Sequence, residues 1–123
     1  MTIENHKLVM PEHLNQHGFL FGGYMLQWVD EYAWIAASTD HPACHFVTIG
    51  MDHVEFRKSV RGGTILKFVI TKIQNGKTSV QYGVSVFDTK KSQEADGILF
   101  STNVTFVNID EKGNKKELAA CCC

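Results

Sequence analysis

The chain has 123 residues, of which 44% are apolar and 20% charged, and its formal net charge is −1. That length and composition suit one soluble domain with one core and exclude a disordered chain. The charge balance gives no pull towards nucleic acid, and no apolar run approaches the roughly 18 residues of a membrane span.

Taken in chain order, Lys7 to Met10 read as a short first strand stopped by Pro11. The N-terminal stretch MTIENHKLVMP has no apolar signal core, so a cytoplasmic protein is expected. Residues 12–21 form a loop rich in His, Asn and Gly. A largely apolar helix follows, roughly Gly23 to Ser38, and Asp40-His41-Pro42 ends it. The period then changes to two. The first alternating run, Phe46 to Phe56, slips phase, which predicts a bulge near Asp52 and His53. Further strands are expected at 65–73, with Leu66, Phe68 and Ile70 on one face, at 79–87, with Val80, Tyr82, Val84 and Val86, and at 98–107, with Ile98, Phe100, Val104 and Phe106. Asn75-Gly76 between alternating runs signals a hairpin. Residues 88–97 read as an exposed polar loop, and residues 111–123 as a flexible tail after a single domain spanning 1–110.

These elements predict an α+β protein, one antiparallel sheet of about five strands wrapped around one long helix. Such a sheet has free edges and the helix is apolar nearly all round, so a partner protomer is expected.

Asp30 sits in the middle of that helix. An acid there is costly to bury as an ion unless something pairs with it or uses it. Gln27, Asp30 and Glu31 share one helix face, so a solvated polar stripe accounts for them equally well; within it Glu31 is the expected solvated member and Asp30 the buried one. Asn15 and the glycines at 18, 22 and 23 suit ordinary turn chemistry. They also suit a carbonyl brought close to free N–H groups at a helix start. The other constellations carry less. His41 and His45 are split by Pro42 and make no helical metal pair, His13 and His17 flank Asn15, and no G-x-S-x-G elbow or phosphate-binding loop occurs. Cys44 stands alone, and Cys121, Cys122 and Cys123 fit neither a disulfide framework nor a zinc spacing.

The stretch N-x-x-G-x-x-F-G-G followed by Asp seven residues on (Asn15, Gly18, Phe21, Gly22, Gly23, Asp30) resembles the signature of hotdog-fold acyl-CoA thioesterases, and is closest to the acyl-CoA hydrolase subfamily. The resemblance extends through 47–63, 73–79 and 101–110; Ser59 and Thr64 stand where proline and aspartate are common in that family. It implies a hotdog fold, a homodimer with a continuous sheet that often assembles into a trimer of dimers, and acyl-CoA as substrate. It also implies a shared site: Asp30 as catalytic acid residue, Asn15 supplied by the other protomer, and a backbone N–H near Gly22 or Gly23 polarising the thioester carbonyl. Hydrolysis of a thioester by these groups requires no metal and no cofactor beyond the coenzyme A of the substrate itself. Asp30 would act either as general base on water or as nucleophile forming an anhydride.

Coenzyme A would bring phosphate charges, for which Arg57, Lys58, Arg61 and Lys77 are candidates. Gly76, Lys77, Thr78 and Ser79 resemble a family segment that contacts the coenzyme. Ordinary solvated cations and an ordinary hairpin are the competing accounts. Tyr24, Met25, Trp28, Trp34 and Phe56 could line an acyl tunnel or fill core. Two further readings stand beside thioester hydrolysis: a non-catalytic acyl-CoA-binding module, and a dehydratase on acyl carriers, which would call for a helix histidine that this sequence lacks.

Overall fold

A computed structural model describes residues 2–91 and 97–118. Five strands form one antiparallel sheet: β1 (Thr2–Leu8), β2 (Phe46–Phe56), β3 (Ile65–Asn75), β4 (Ser79–Asp88) and β5 (Ile98–Asn108), in the order β1-β3-β4-β5-β2. One long helix, α1 (Gly22–Asp40), lies on the concave face. The sheet's inward positions are those expected from period two: Leu66, Phe68 and Ile70, then Val80, Tyr82, Val84 and Val86, then Phe100, Val104 and Phe106, all essentially inaccessible to solvent. Ile98 is only half-buried, and Thr102 completes the inner row of β5. They meet Met25, Trp28, Val29, Ala33, Ala36 and Ala37 of the helix, where small residues let the helix sit close to the strands.

The predicted bulge is present. Pairing of β2 with β5 slips between Asp52 and Glu55, where His53 adopts φ 51°, and slips again between Thr48 and Gly50. The first slip frees the carbonyl of Asp52, and the hydroxyl of buried Thr102 donates to it at 2.8 Å. A polar side chain in the core is thereby satisfied.

Three expectations need correction. The first strand is Thr2–Leu8, not 7–10, because its polar sequence pairs along an edge of the sheet, where alternation need not be apolar. The helix runs two residues further, to Asp40, whose carboxylate receives Lys72 Nζ and, at 3.0 Å, the Tyr82 hydroxyl. The stretch after Asp110 is not loose as far as Leu118. Lys115 bridges to Ile109, Lys116 N–H donates to the Asn108 carbonyl, and Leu118 is buried with its N–H on the Lys77 carbonyl. Cys121, Cys122 and Cys123 lie outside the described residues, whereas Cys44 is buried and not part of a disulfide. Among the described residues, no helix is long and apolar enough to cross a membrane.

At the other edge of the sheet lies β2. Its flank is apolar and open: Val47, Ile49, Val54 and Phe56 are exposed, as are Phe21, Trp34 and Ile35 of the helix and its entry.

Candidate active site

The loop before α1 is built around Asn15. Its side-chain oxygen accepts the N–H of His17 at 2.8 Å and of Phe19 at 3.2 Å, and its main chain pairs with Phe19 and Gly18. Gly18 takes φ 81°, a conformation that favours glycine at this turn. Two N–H donors fix the amide orientation, because only oxygen can receive them. The Asn15 NH2 therefore remains as a donor.

The loop closes onto α1 through Phe21 N–H to the His13 carbonyl, 2.9 Å. Phe21 is the N-cap and supplies no side-chain acceptor. Among the described residues, no acceptor meets the N–H groups of Gly22 or Gly23, which are left as donors at the positive end of the helix. A Cβ on Gly22 would stand 3.3 Å from the Phe56 ring, so this glycine keeps the backbone open beside an aromatic wall.

A cavity of about 300 Å³ brings Asn15 and Gly22 together with Met25, Phe56, Arg57 and Lys58. Gly23 does not line it and instead faces a shallow groove with Phe21, Tyr24 and Gln27. A second cavity of about 240 Å³ shares Lys58, Ser59, Val60 and Leu99 with the first, and adds Arg61, Thr64, Asp88 and Lys91. The 57–64 segment is held against the Asn15 loop by a bridge between Phe19 and Arg61 and by Leu20 N–H on the Val60 carbonyl. Arg57 also pairs with Glu55 at 2.9 Å, and the Arg61 guanidinium lies over the Phe19 ring. The two cavities thus adjoin and share Lys58; the first adds N–H donors, apolar groups and Arg57, the second Arg61, Lys91 and Asp88.

Asp30 is not part of this cluster. It stands eight residues beyond Gly22 on α1, roughly 12 Å along the axis. It is half-buried, while Gln27 and Glu31 on the same face are exposed. Its partner is Thr48 of β2, whose hydroxyl donates to Oδ1 at 2.6 Å. The hairpin carrying Gly76, Lys77, Thr78 and Ser79 belongs to this end of the molecule, since Ser79 pairs with Val107 and Val107 with Val47. Thr78 accepts the Asn108 N–H, and Lys77 pairs with Glu117 at 3.4 Å. The sequence-predicted residues therefore fall into two clusters at opposite ends of one subunit.

Sequence reasoning missed Thr48. Its only signal is strand parity: it follows Phe46 by two and so shares the helix-facing side of β2. Of the tunnel candidates, Met25 and Trp28 are buried, and Met25 and Phe56 line the first cavity. Tyr24 packs on His13, and Trp34 donates its indole N–H to the Phe46 carbonyl.

Comparison with known proteins bears on what these clusters do. The model of the thioesterase superfamily matches residues 17–95. A relative from Buchnera aphidicola (subspecies Baizongia pistaciae), named an uncharacterized acyl-CoA thioester hydrolase, is 29% identical over 130 residues, covering 96% of each chain. The acyl-CoA hydrolase of Staphylococcus aureus, solved with butyryl coenzyme A, coenzyme A and coenzyme A disulfide, matches with a TM-score of 0.83 at 28% identity, over 94% of this chain and 70% of its own. Variants of that enzyme with an Asn, an Asp or a Thr replaced by Ala have also been solved. The Asn and the Asp stand fifteen residues apart, the same separation as Asn15 and Asp30. A hexameric hotdog-fold thioesterase of Campylobacter jejuni matches with a TM-score of 0.79 at 30% identity, over 92% of this chain and 86% of its own. The five-stranded sheet around one helix is that hotdog architecture.

Proposed function

This chain belongs to the thioesterase superfamily, and we propose that it hydrolyses acyl-CoA to a free carboxylic acid and coenzyme A at a site completed by two copies of the chain. The observation that carries the reading is the split geometry. Asn15 and Gly22 offer unspent donors at one end, and the Asp30–Thr48 pair offers a carboxylate at the other. One thioester cannot reach both within a subunit.

Pairing β2 with β2 of a second copy about a two-fold axis near Asp52 sets Thr48 of one protomer opposite Phe56 of its partner. Phe56 lies against Gly22, so Asp30 of one copy then faces Asn15 and Gly22 of the other. The same pairing covers the exposed Val47, Ile49 and Phe56 and extends the sheet across both subunits. Three such dimers forming a hexamer accord with the hexameric relatives from Campylobacter jejuni and Yersinia pestis.

In this arrangement the thioester oxygen points at the Gly22 N–H and the Asn15 amide. Both are donors suited to charge that develops on that oxygen. Thr48 holds one oxygen of Asp30, and the other accepts a proton from water as the water oxygen bonds to the carbonyl carbon. The tetrahedral adduct collapses by breaking the carbon–sulfur bond, and the departing thiolate takes the proton from Asp30. We favour this route over an anhydride because the Thr48 bond holds the carboxylate beside β2. Asn15 enters as a donor, since its carbonyl oxygen is occupied within its own loop. No cofactor or metal is needed. Arg57, Lys58 and Arg61 receive coenzyme A phosphates from the Asn15 side. Gly76, Lys77, Thr78 and Ser79 of the partner contribute from the other.

The test is a thiol-release assay across acyl-CoA chain lengths. Wild type should turn over, and Asp30→Asn should lose at least about 10²-fold in kcat, the usual scale for loss of a general base. Unchanged turnover in that variant would remove Asp30 from the mechanism. A well-folded wild type with no activity would point instead to a non-catalytic acyl-CoA-binding module.

A further inference from the structure

His13 stands at the root of the loop that carries Asn15, yet it does not line the cavity. It closes the short 3-10 turn Pro11–His13: its N–H donates to the Met10 carbonyl at 2.9 Å, and its Nδ1 accepts the Met10 N–H at 3.0 Å. Its carbonyl receives the N–H of Phe21, the residue that caps α1. Its ring packs edge-on against Tyr24 at 4.9 Å and Trp28 at 4.8 Å between centroids. One residue thus ties together the turn, the two ends of the Asn15 loop and the first turns of the helix.

The bond from Met10 N–H requires a neutral ring with its hydrogen on Nε2. Protonation puts hydrogen on Nδ1 as well, and two donors then face each other across the turn. The groups around the ring are Tyr24 and Trp28 from α1, Glu12 beside it in the turn, and Lys7 from β1, whose ammonium lies 5.3 Å from the Trp28 ring centroid. Attraction of an imidazolium to the aromatic faces is therefore shared with a cation already present there.

We propose that His13 is a positioning residue for thioester hydrolysis: neutral, it holds the Asn15 loop and the Gly22 end of α1 in register, and protonation releases them. The inference rests on the reading that Asn15 and Gly22 serve the reaction. Asn at position 13 offers an acceptor oxygen where Nδ1 lies and does not titrate, so His13→Asn separates the hydrogen bond from the charge.

The experiment compares kcat and KM from pH 5 to 9 for wild type, His13→Asn and His13→Ala. Wild-type kcat should fall at least about fivefold between pH 8 and 5.5. His13→Asn should match wild type at pH 8 within about twofold and lose that fall. His13→Ala should lower kcat about tenfold at pH 8 with little change in KM, as misplacement of a reacting group does. An acid limb in His13→Asn identical to wild type would overturn the proposal. Should the variants fold poorly, the Met10 amide resonance of wild type decides: it should shift with the same midpoint as kcat, and a flat response across that range would overturn the proposal. A wild type without thioesterase activity would instead overturn the reading on which it rests.

Discussion

Asp30 looked too costly for an apolar helix, and its surroundings resolve the cost: the carboxylate is half-buried, hydrogen-bonded to Thr48, and placed at the open flank of β2 rather than deep in the core. Its exposed neighbours Gln27 and Glu31 form the polar stripe that the sequence also allowed, so periodicity alone could not separate Asp30 from them. Asn15 was legible as a turn residue and is one; what the sequence hid is that the turn consumes its carbonyl and spares its NH2. Thr48 was invisible because its partner lies eighteen residues away on another element. Replacing it with Val keeps the shape and removes the donor. Thr48→Val should lower kcat by about 10- to 100-fold with KM nearly unchanged, since a hydrogen bond to a charged group is worth about 1.5–3 kcal/mol; steady-state kinetics check this, and a change confined to KM would contradict it.

Strands β3, β4 and β5 were readable because each buries one alternating apolar face, and the bulge in β2 because its phase slips where His53 must turn. Strand β1 was only partly readable, since an edge strand needs no apolar alternation, and the ordering of 110–118 comes from Asn108, a wholly buried side chain. Its oxygen accepts the His45 N–H at 2.8 Å and its NH2 donates to the carbonyl of Lys116 at 3.2 Å. The C-terminal end of α1 has its own anchor. Burial alone would raise the Asp40 carboxyl, but hydrogen bonds from Lys72 and Tyr82, with the charges of Lys72 and His41, hold it below the ordinary carboxylate value. A lowered folded value contributes stability that is present above the unfolded carboxylate range and lost as pH falls through the folded value. Asp40→Asn should therefore destabilise the protein by about 1–2 kcal/mol at pH 7, allowing for its partial solvent access, and by less at pH 3. Denaturation midpoints at both pH values test this, and an equal loss at each would contradict it. At the 57–64 segment, Lys58→Glu should raise KM for an acyl-CoA more than for the matching acyl-pantetheine thioester, which lacks the nucleotide phosphates. Equal increases would take Lys58 out of phosphate recognition.

At the scale of the whole molecule, one chain is half of a site on the proposed reading. The proposed two-fold partner would account together for its apolar flank, its edge strand β2 and the separation of Asn15 from Asp30. The expectation of a partner came from an over-apolar helix, and the sharing of Asn15 and Asp30 between protomers from the family resemblance alone, because no periodicity records which end of a sheet faces a second copy. The most direct test mixes two inactive variants, Asp30→Asn and Asn15→Ala, under conditions in which subunits exchange, and measures thiol release. Mixed dimers contain one site with both residues intact and one with neither, so an equal mixture should recover about a quarter of wild-type turnover. No recovery, with exchange demonstrated by a mass-tagged subunit, would contradict a site shared between chains.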